Sequence, residues 1–145
     1  MSIKSAQDEI IAEVSTLNGD IEKILFYIIS LGSVLPVMPK AFRIDNNLIQ
    51  GCHSKVWLVA TAKSDRVSFY ADSDTAISKG LISLLLRVFN GQTADEIIKA
   101  DIYFNQKNQL ERYIGTKRSN GFAAMIDRIK YQSLEISKGY RERLI

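Results

Sequence analysis

The stretch KVWLVATAKSDRVSFYA, residues 55–71, predicts the element around which the rest of the chain folds. Its first part, Lys55 to Ala62, is rich in β-branched and aromatic residues, which favour a strand. Lys63-Ser64-Asp65 has the composition of a tight turn. From Arg66 to Ala71 apolar and polar residues alternate, as they do in a strand with one buried face. The stretch therefore predicts an antiparallel hairpin.

Two helices and a short strand are predicted before this hairpin. Ser5-Ala6-Gln7-Asp8 has the form of a capping box and is predicted to open the first helix. The second helix begins near Asp20 and ends at Gly32. Two prolines between residues 33 and 51 exclude a central strand there, and only Leu48-Ile49-Gln50 is predicted to be extended.

Helices are the only elements predicted after the hairpin. Asp72-Ser73-Asp74 is predicted to cap a central helix from Thr75 to Phe89. Gly80 inside it is unfavourable by about 1 kcal/mol relative to Ala, which indicates close packing against the sheet or the cysteine loop. Short helices follow, the first opened by the capping box Thr93-Ala94-Asp95-Glu96, and a long last helix is predicted to begin at Ser119 or Asn120.

The order of these elements indicates the fold class. Strands and helices are segregated along the chain, rather than alternating as they do around a parallel sheet. The sequence therefore predicts an α+β fold, with a small antiparallel β-sheet and helices packed on one side. At 145 residues and 46% hydrophobic composition, the chain is predicted to form a single domain, residues 1–145.

Charge and hydropathy exclude several classes of partner. A formal net charge of +3 is small for a nucleic-acid-binding protein, and the excess of basic residues after residue 116 is typical of a solvated helix face. The longest uncharged run, Ile24 to Pro39, is too short to span a bilayer. The first 13 residues lack the apolar core of a signal peptide. We therefore expect a cytoplasmic protein with no nucleic acid and no membrane as partner.

The single cysteine, Cys52, is the main candidate for chemistry. It follows Gly51 at a joint between predicted strands, where a side chain can be presented at the end of a sheet. One cysteine excludes an internal disulfide and an iron–sulfur scaffold that supplies its own ligands. Without a resolving partner, a reactive thiol suits exchange with a thiol on another molecule. The alternative is equally open at this point: a free cysteine is often a small, inert core residue.

Few residues near Cys52 in the sequence could stabilise its thiolate. Lys55 is close in sequence, and the start of the last helix near Arg118 could supply a cation and free N–H groups. Arg118 is equally consistent with a plain surface position. His53 is adjacent, and because neighbouring side chains point to opposite faces of an extended segment, we expect a solvated loop histidine and not a catalytic base.

Gly51-Cys52-His53-Ser54-Lys55-Val56-Trp57 resembles the Gly-Cys-x-Ser-x-Val-Trp signature of the SufE family of sulfur-acceptor proteins. Three further segments resemble the family in the same order: Tyr27-Ile28-Ile29-Ser30-Leu31-Gly32 with Leu35-Pro36, Asp72-Ser73-Asp74 with Lys79-Gly80-Leu81-Ile82, and Arg118-Ser119-Asn120-Gly121-Phe122. The similarity covers about residues 20–130. It departs from the family at His53, where many members carry Gln or Glu, and at Phe122, where they carry Leu.

This resemblance implies a fold like that of the iron–sulfur scaffold proteins and a role for Cys52 as the catalytic residue. Cys52 would accept sulfur from a SufS-type cysteine desulfurase, carry it as a persulfide to a SufBCD-type cluster scaffold complex, and thereby stimulate the desulfurase. The chain would need no metal and no cofactor of its own, because the pyridoxal phosphate belongs to the desulfurase. It would act as a carrier and not as an independent enzyme.

The resemblance leaves several alternatives open. The chain could be a non-catalytic interaction domain with an inert structural Cys52, whereas an iron–sulfur scaffold or a cysteine hydrolase using Cys52 and His53 fits its composition poorly. Leu35, Val56 and Trp57 are candidates to shield a persulfide, although Trp57 fits an ordinary core position better. Either a monomer or a homodimer is compatible with the sequence.

Overall fold

The computed structural model describes the backbone of residues 1–144 and the side chains of residues 1–139. In chain order it contains α1 (Ile3–Ser15), α2 (Ile21–Ser33), two 3₁₀ turns (Lys40–Phe42 and Asp45–Asn47), β1 (Val56–Lys63), β2 (Arg66–Ser73), α3 (Ala76–Phe89), α4 (Ala94–Lys99), α5 (Phe104–Lys107), α6 (Glu111–Ile114) and α7 (Thr116–Leu144). The predicted α+β class, with helices packed on a small antiparallel sheet, is confirmed. None of the helices in residues 1–144 is long and apolar enough to cross a membrane.

The predicted hairpin forms the sheet. β1 and β2 pair antiparallel, with Val56 opposite Ser73 and Lys63 opposite Arg66. Ser64 has a φ of 58°, as a two-residue hairpin loop favours. The buried positions alternate with half-buried ones in β1 and with exposed ones in β2, and they face the helices: Val56, Leu58, Val67, Phe69 and Ala71.

The prediction of a short strand at Leu48–Gln50, before the hairpin, is wrong. Only Leu48 forms a bridge, to Trp57, and the Ile49 N–H donates to the Val56 carbonyl at 2.8 Å. The 3₁₀ turn before this segment and Gly51 after it leave too few extended residues for a ladder. The segment therefore serves as the entry to the loop that carries Cys52.

Helix α3 is central, as its apolar face predicts, and it contacts α1, α2, α7 and β2. Gly80 packs against α2, so the predicted contact with the sheet or the cysteine loop is wrong. A Cβ on Gly80 would overlap the carbonyl oxygen of Ile28, and a Cβ on Gly32 would lie 2.7 Å from the Gly80 nitrogen. Gly32 lies one residue before the end of α2 at Ser33, close to the predicted end, and it is a packing residue because two helices this close leave no room for a side chain.

The structure corrects two of the predicted helix starts and confirms two others. The N-cap of α1 is Ser2, whose hydroxyl accepts from the Ser5 N–H at 3.0 Å, so the helix begins one turn before the predicted box. Asp20 caps α2 and Thr93 caps α4 as predicted. Helix α7 begins at Thr116, three residues before the predicted Ser119, because Gly115 already ends α6 with a positive φ.

In the segment Asp72-Ser73-Asp74 at the end of β2, neither carboxylate caps α3, and the Ser73 hydroxyl accepts a hydrogen bond from the Thr75 N–H at 3.4 Å. Thr75 is the N-cap residue, without a side-chain cap hydrogen bond. Asp72 is buried at the end of β2, where it forms ion pairs with Arg43 and with Lys79, the latter at 3.5 Å. Its carboxylate neutralises cations from two other elements, so long-range contacts compete successfully with the local capping preference of Asp.

Candidate functional site

The loop between residues 50 and 55 carries Cys52, and its backbone conformation and backbone hydrogen bonds fix its position. Gly51 has a φ of 91°, and a Cβ there would lie 3.2 Å from the Ala124 Cβ on α7. A side chain is therefore disfavoured by both backbone conformation and space. The Lys55 N–H donates to Asp74 Oδ1 at 3.0 Å, and the Lys55 carbonyl accepts from Ser73 Oγ at 2.9 Å. The end of β2 thus anchors the loop as it enters β1.

Cys52 is half-buried against α7. Its Sγ lies 3.5 Å from the Gly121 carbonyl oxygen, within hydrogen-bond distance for a sulfur donor. Gly121 is buried, and a Cβ there would lie 3.6 Å from the sulfur, in ordinary contact. Burial raises the pKa of the Cys52 thiol, because a half-buried thiolate loses part of its hydration. Burial and the contact with the Gly121 carbonyl therefore both favour the protonated thiol.

A cluster of hydroxyls beside Cys52 joins its loop to α3. Ser54 Oγ lies 2.7 Å from Thr75 Oγ1, and Ser78 Oγ donates to Ser54 Oγ at 3.1 Å. The Thr75 side chain is engaged here and not as a cap of its own helix. No local pattern in the sequence predicts this cluster, since Ser54 is separated from Thr75 by the whole hairpin.

Cys52 opens into a cavity of about 380 Å³ between its loop, α3 and the start of α7. The residues around this space are Cys52, His53, Ser54, Ser78, Ile114, Gly115, Thr116, Lys117, Arg118, Gly121 and Met125. We call it the Cys52 cavity. It combines one thiol, three hydroxyls, two cationic side chains and an apolar wall.

The N-terminus of α7 supplies positive potential to this cavity. The Ser119 N–H donates to the Gly115 carbonyl at 3.0 Å, which makes Gly115 the N-cap residue. The N–H groups of Thr116, Lys117 and Arg118 consequently have no carbonyl partner within the helix. Together with the helix dipole, these groups favour a negative charge on an atom in the cavity.

Of the two cations predicted to lie near Cys52, only Arg118 lines the Cys52 cavity. Arg118 lines the cavity as the sequence suggested, and its guanidinium donates to the Ile114 carbonyl at 3.2 Å. Lys117, which was not predicted, lines the cavity as well, and its place in the first turn of the last helix was the available signal. Lys55 does not line the cavity, and His53 is exposed at its edge, as expected of a loop histidine.

The predicted shielding residues lie elsewhere. Val56 is fully buried in the core, and neither Leu35 nor Trp57 lines the Cys52 cavity. The apolar wall comes instead from Ile114 and Met125, because the loop packs against α7 and not against the sheet. Over the described residues, no three His, Cys, Asp or Glu side chains are grouped so that they could hold a metal ion.

Comparisons with known proteins identify the family of the chain. The family model described as "SufE: Fe-S metabolism associated domain" matches residues 8–133. An uncharacterized SufE-like protein of Rhizobium meliloti (strain 1021) is 38% identical over 112 residues, which cover 74% of this chain and 80% of that protein. An uncharacterized SufE-like protein of Rhizobium etli is 35% identical over 112 residues, 74% of this chain and 76% of the relative.

A solved structure shares the fold. The solution structure of a hypothetical protein from Thermus thermophilus superposes with a TM-score of 0.72, covering 93% of this chain and 97% of that one, at 16% sequence identity. The family match extends over most of the chain, and the fold is that of the structural neighbour. The chain therefore belongs to the SufE family, whose domain is associated with iron–sulfur metabolism.

Proposed function

We propose that the chain accepts sulfur on Cys52 from a SufS-type cysteine desulfurase and thereby stimulates that enzyme. The observation that supports this most directly is the position of Cys52: the only thiol of the chain opens into a cavity at the N-terminus of α7. A thiol at such a position can be stabilised as the nucleophilic thiolate when a partner docks.

The proposed step is an exchange at sulfur that needs no oxidant. The Cys52 thiolate attacks the outer sulfur of a persulfide on the desulfurase, and a new S–S bond forms. The S–S bond of the donor breaks, and the electron pair leaves with the donor's inner sulfur as a thiolate. The proton lost by Cys52 balances the one that the leaving thiolate can take up.

The resting geometry implies that docking activates the thiol. Burial raises the pKa of Cys52, and its Sγ–H faces the Gly121 carbonyl, so both features favour the protonated form. If the loop shifts away from Gly121 and toward the first turn of α7, the Cys52 sulfur would lose the carbonyl acceptor. It would then face N–H groups and cations, which favour the thiolate. The cavity of about 380 Å³ leaves space for the additional sulfur atom.

The remaining parts of the proposal concern partners and location. The pyridoxal phosphate that generates the persulfide belongs to the desulfurase, and Cys52 passes its sulfur to a SufBCD-type cluster scaffold complex. We place this exchange in the cytoplasm. The family's association with iron–sulfur metabolism supports these assignments.

Intact-mass spectrometry tests the proposal. The purified chain is incubated with a cysteine desulfurase and free cysteine, and Cys52→Ser is treated in parallel. We expect the mass of one added sulfur on the wild type, none on Cys52→Ser, and loss of the added mass after reduction. Absence of the adduct with a cognate desulfurase, while Cys52 is shown to be free and reduced, would leave an interaction domain with an inert cysteine.

A further inference from the structure

The hydroxyl cluster of Ser54, Thr75 and Ser78 has no part in the sulfur-transfer step proposed above. Ser54 lies two residues after Cys52, in the same loop, and its hydroxyl contacts two side chains at the N-terminus of α3. Thr75 Oγ1 lies 2.7 Å from Ser54 Oγ, and the buried Ser78 hydroxyl donates to the same oxygen at 3.1 Å. One side chain close to the reactive sulfur therefore fixes the loop to α3.

Thr75 makes this contact instead of capping its own helix. It is the N-cap residue of α3, yet its side chain forms no cap hydrogen bond. A threonine at an N-cap position ordinarily contributes about 1 kcal/mol to stability through that bond. Departures from such local preferences concentrate at functional sites. The use of Thr75 to hold the loop therefore indicates that the position of the loop matters to function.

The side chains of the loop contact two helices with unequal strength. Cys52 contacts α7 through its thiol, which lies 3.5 Å from the Gly121 carbonyl oxygen. Ser54 contacts α3 through two hydrogen bonds between hydroxyls, both of ordinary length. A thiol is a weak donor, so the contact with α7 breaks more easily than the contact with α3. The Cys52 sulfur can thus leave Gly121 while Ser54 stays in place.

We propose that Ser54 is a positioning residue for sulfur transfer, which fixes the loop to α3 so that Cys52 moves only within its cavity when the desulfurase docks. This inference rests on the proposed function, because it concerns the same thiol. With Ser54 fixed, the sulfur has few available positions, and the geometry of attack on the donor persulfide is reached often. Without the hydroxyl, the loop has more conformations, and ordering them costs free energy in each transfer. Ser54 acts through the loop and does not react.

Single-turnover sulfur loading is the first test. A cysteine desulfurase is charged with a limiting amount of free cysteine and mixed with increasing concentrations of the chain, and sulfur on Cys52 is followed by intact mass. For Ser54→Ala we expect the maximal rate to fall about tenfold, as for a poorly oriented nucleophile, with the half-saturating concentration unchanged. Thr75→Val, which removes the partner hydroxyl and keeps the side-chain shape, should change the rate in the same direction. Ser54→Thr keeps the hydroxyl and should restore most of the rate.

Alkylation of Cys52 by iodoacetamide is the second readout and needs no desulfurase. A loop released from α3 exposes its thiol more often, so we expect Ser54→Ala to react about two- to tenfold faster than the wild type, the range for one lost hydrogen bond. Ser83→Ala is the matched control for both readouts. Ser83 is a half-buried serine of α3 whose hydroxyl donates to the Leu31 carbonyl at 3.1 Å, outside the Cys52 cavity.

Slower loading together with faster alkylation distinguishes positioning from a general loss of structure, which would affect Ser83→Ala as well. Wild-type loading by Ser54→Ala would overturn the inference. Equal losses in Ser54→Ala and Ser54→Thr would do the same, because the hydroxyl would then be irrelevant. If the wild type accepts no sulfur, the proposed function itself fails, whereas equal alkylation of Ser54→Ala and the wild type would show that Ser54 does not hold the loop.

Discussion

The Sγ of Cys52 lies 3.5 Å from the carbonyl oxygen of Gly121, which ties the loop before β1 to the second turn of α7. A carbonyl accepts a hydrogen bond from a thiol but cannot accept one from a thiolate. The contact therefore favours the protonated cysteine, in the same direction as burial. The first turn of α7, one turn away, has the opposite preference, because its N–H groups favour an anion.

The pH dependence of Cys52 alkylation follows from this contact. We expect reaction of the folded chain with iodoacetamide to titrate at higher pH than reaction of the same cysteine in urea, where the ordinary thiol pKa is about 8.5. Rates measured between neutral and alkaline pH in both states give the two midpoints. A folded midpoint at or below the unfolded one would contradict the resting geometry.

The same shift makes stability depend on pH. Because the folded state holds the Cys52 proton more tightly, the stability from protonation is complete below the unfolded pKa and is lost as the pH rises through the folded pKa. We expect the free energy of unfolding of the wild type to fall relative to that of Cys52→Ser over this alkaline range. Urea denaturation of both proteins at each pH measures the difference.

Lys117 is expected to contribute to sulfur transfer without being essential. It lines the Cys52 cavity, and Lys117→Gln should lower the rate of persulfide formation about two- to fivefold, the range for one exposed charge near an anion. Lys107→Gln, at an exposed position of α5 outside that cavity, is the matched control. Equal losses for both variants would mean that net charge matters and the position of Lys117 does not.

Gly80 is expected to be intolerant of any side chain. Gly80→Ala would force α2 and α3 apart, because the new Cβ would overlap the Ile28 carbonyl, and we expect a loss of at least about 1–3 kcal/mol in the free energy of unfolding. Gly139→Ala is the control: it lies in α7, where a Cβ meets nothing within 4 Å. That variant should be neutral or more stable by about 0.5–1 kcal/mol. Urea denaturation compares the two.

Acid should weaken the contact between α1, α2 and α3. Glu13 Oε1 accepts hydrogen bonds from Arg87 Nη1 and from the Tyr27 hydroxyl, each at 2.9 Å, and the Arg87 guanidinium lowers the pKa of the Glu13 carboxyl. The stability from this ionisation is present above the unfolded pKa, about 4.3, and is lost as the pH falls through the lower folded pKa. We therefore expect Glu13→Gln to be less stable than the wild type at pH 7, with the difference shrinking toward pH 3.

A second glutamate provides the control for this acid dependence. Glu135 forms an exposed pair with Lys138 at 3.6 Å, and exposed pairs contribute little. Glu135→Gln should therefore follow the wild type at both pH values, as measured by urea denaturation. If the free energy of unfolding of Glu13→Gln also follows that of the wild type at both pH values, the contact with Arg87 is not stabilising.

Local patterns account for most of the predictions that hold. Alternation in Arg66–Ala71 places Val67 and Phe69 on the buried face, because side chains in a strand point to opposite faces whatever surrounds them. The Thr93 cap holds for the same reason, since its partner Glu96 is three residues away. The prediction failed at Asp72, whose partner Arg43 lies in a distant part of the chain.

The candidate site was predictable only in part, for a similar reason. Cys52 stood out by composition and by its motif, and Arg118 by its place at the start of a helix. The hydroxyls of Thr75 and Ser78 gave no comparable signal, since their importance comes from the elements that meet beside the thiol.

The α+β class, the hairpin and the identity of the only thiol can be read from the amino-acid sequence, because each depends on the periodicity or composition of neighbouring residues. Tertiary structure alone decided that α2 and α3 meet at Gly32 and Gly80, and that Cys52 faces α7. It also decided which side chains surround the sulfur. These contacts join residues far apart in the chain, and they depend on how whole elements pack, a property that no local pattern of residues encodes.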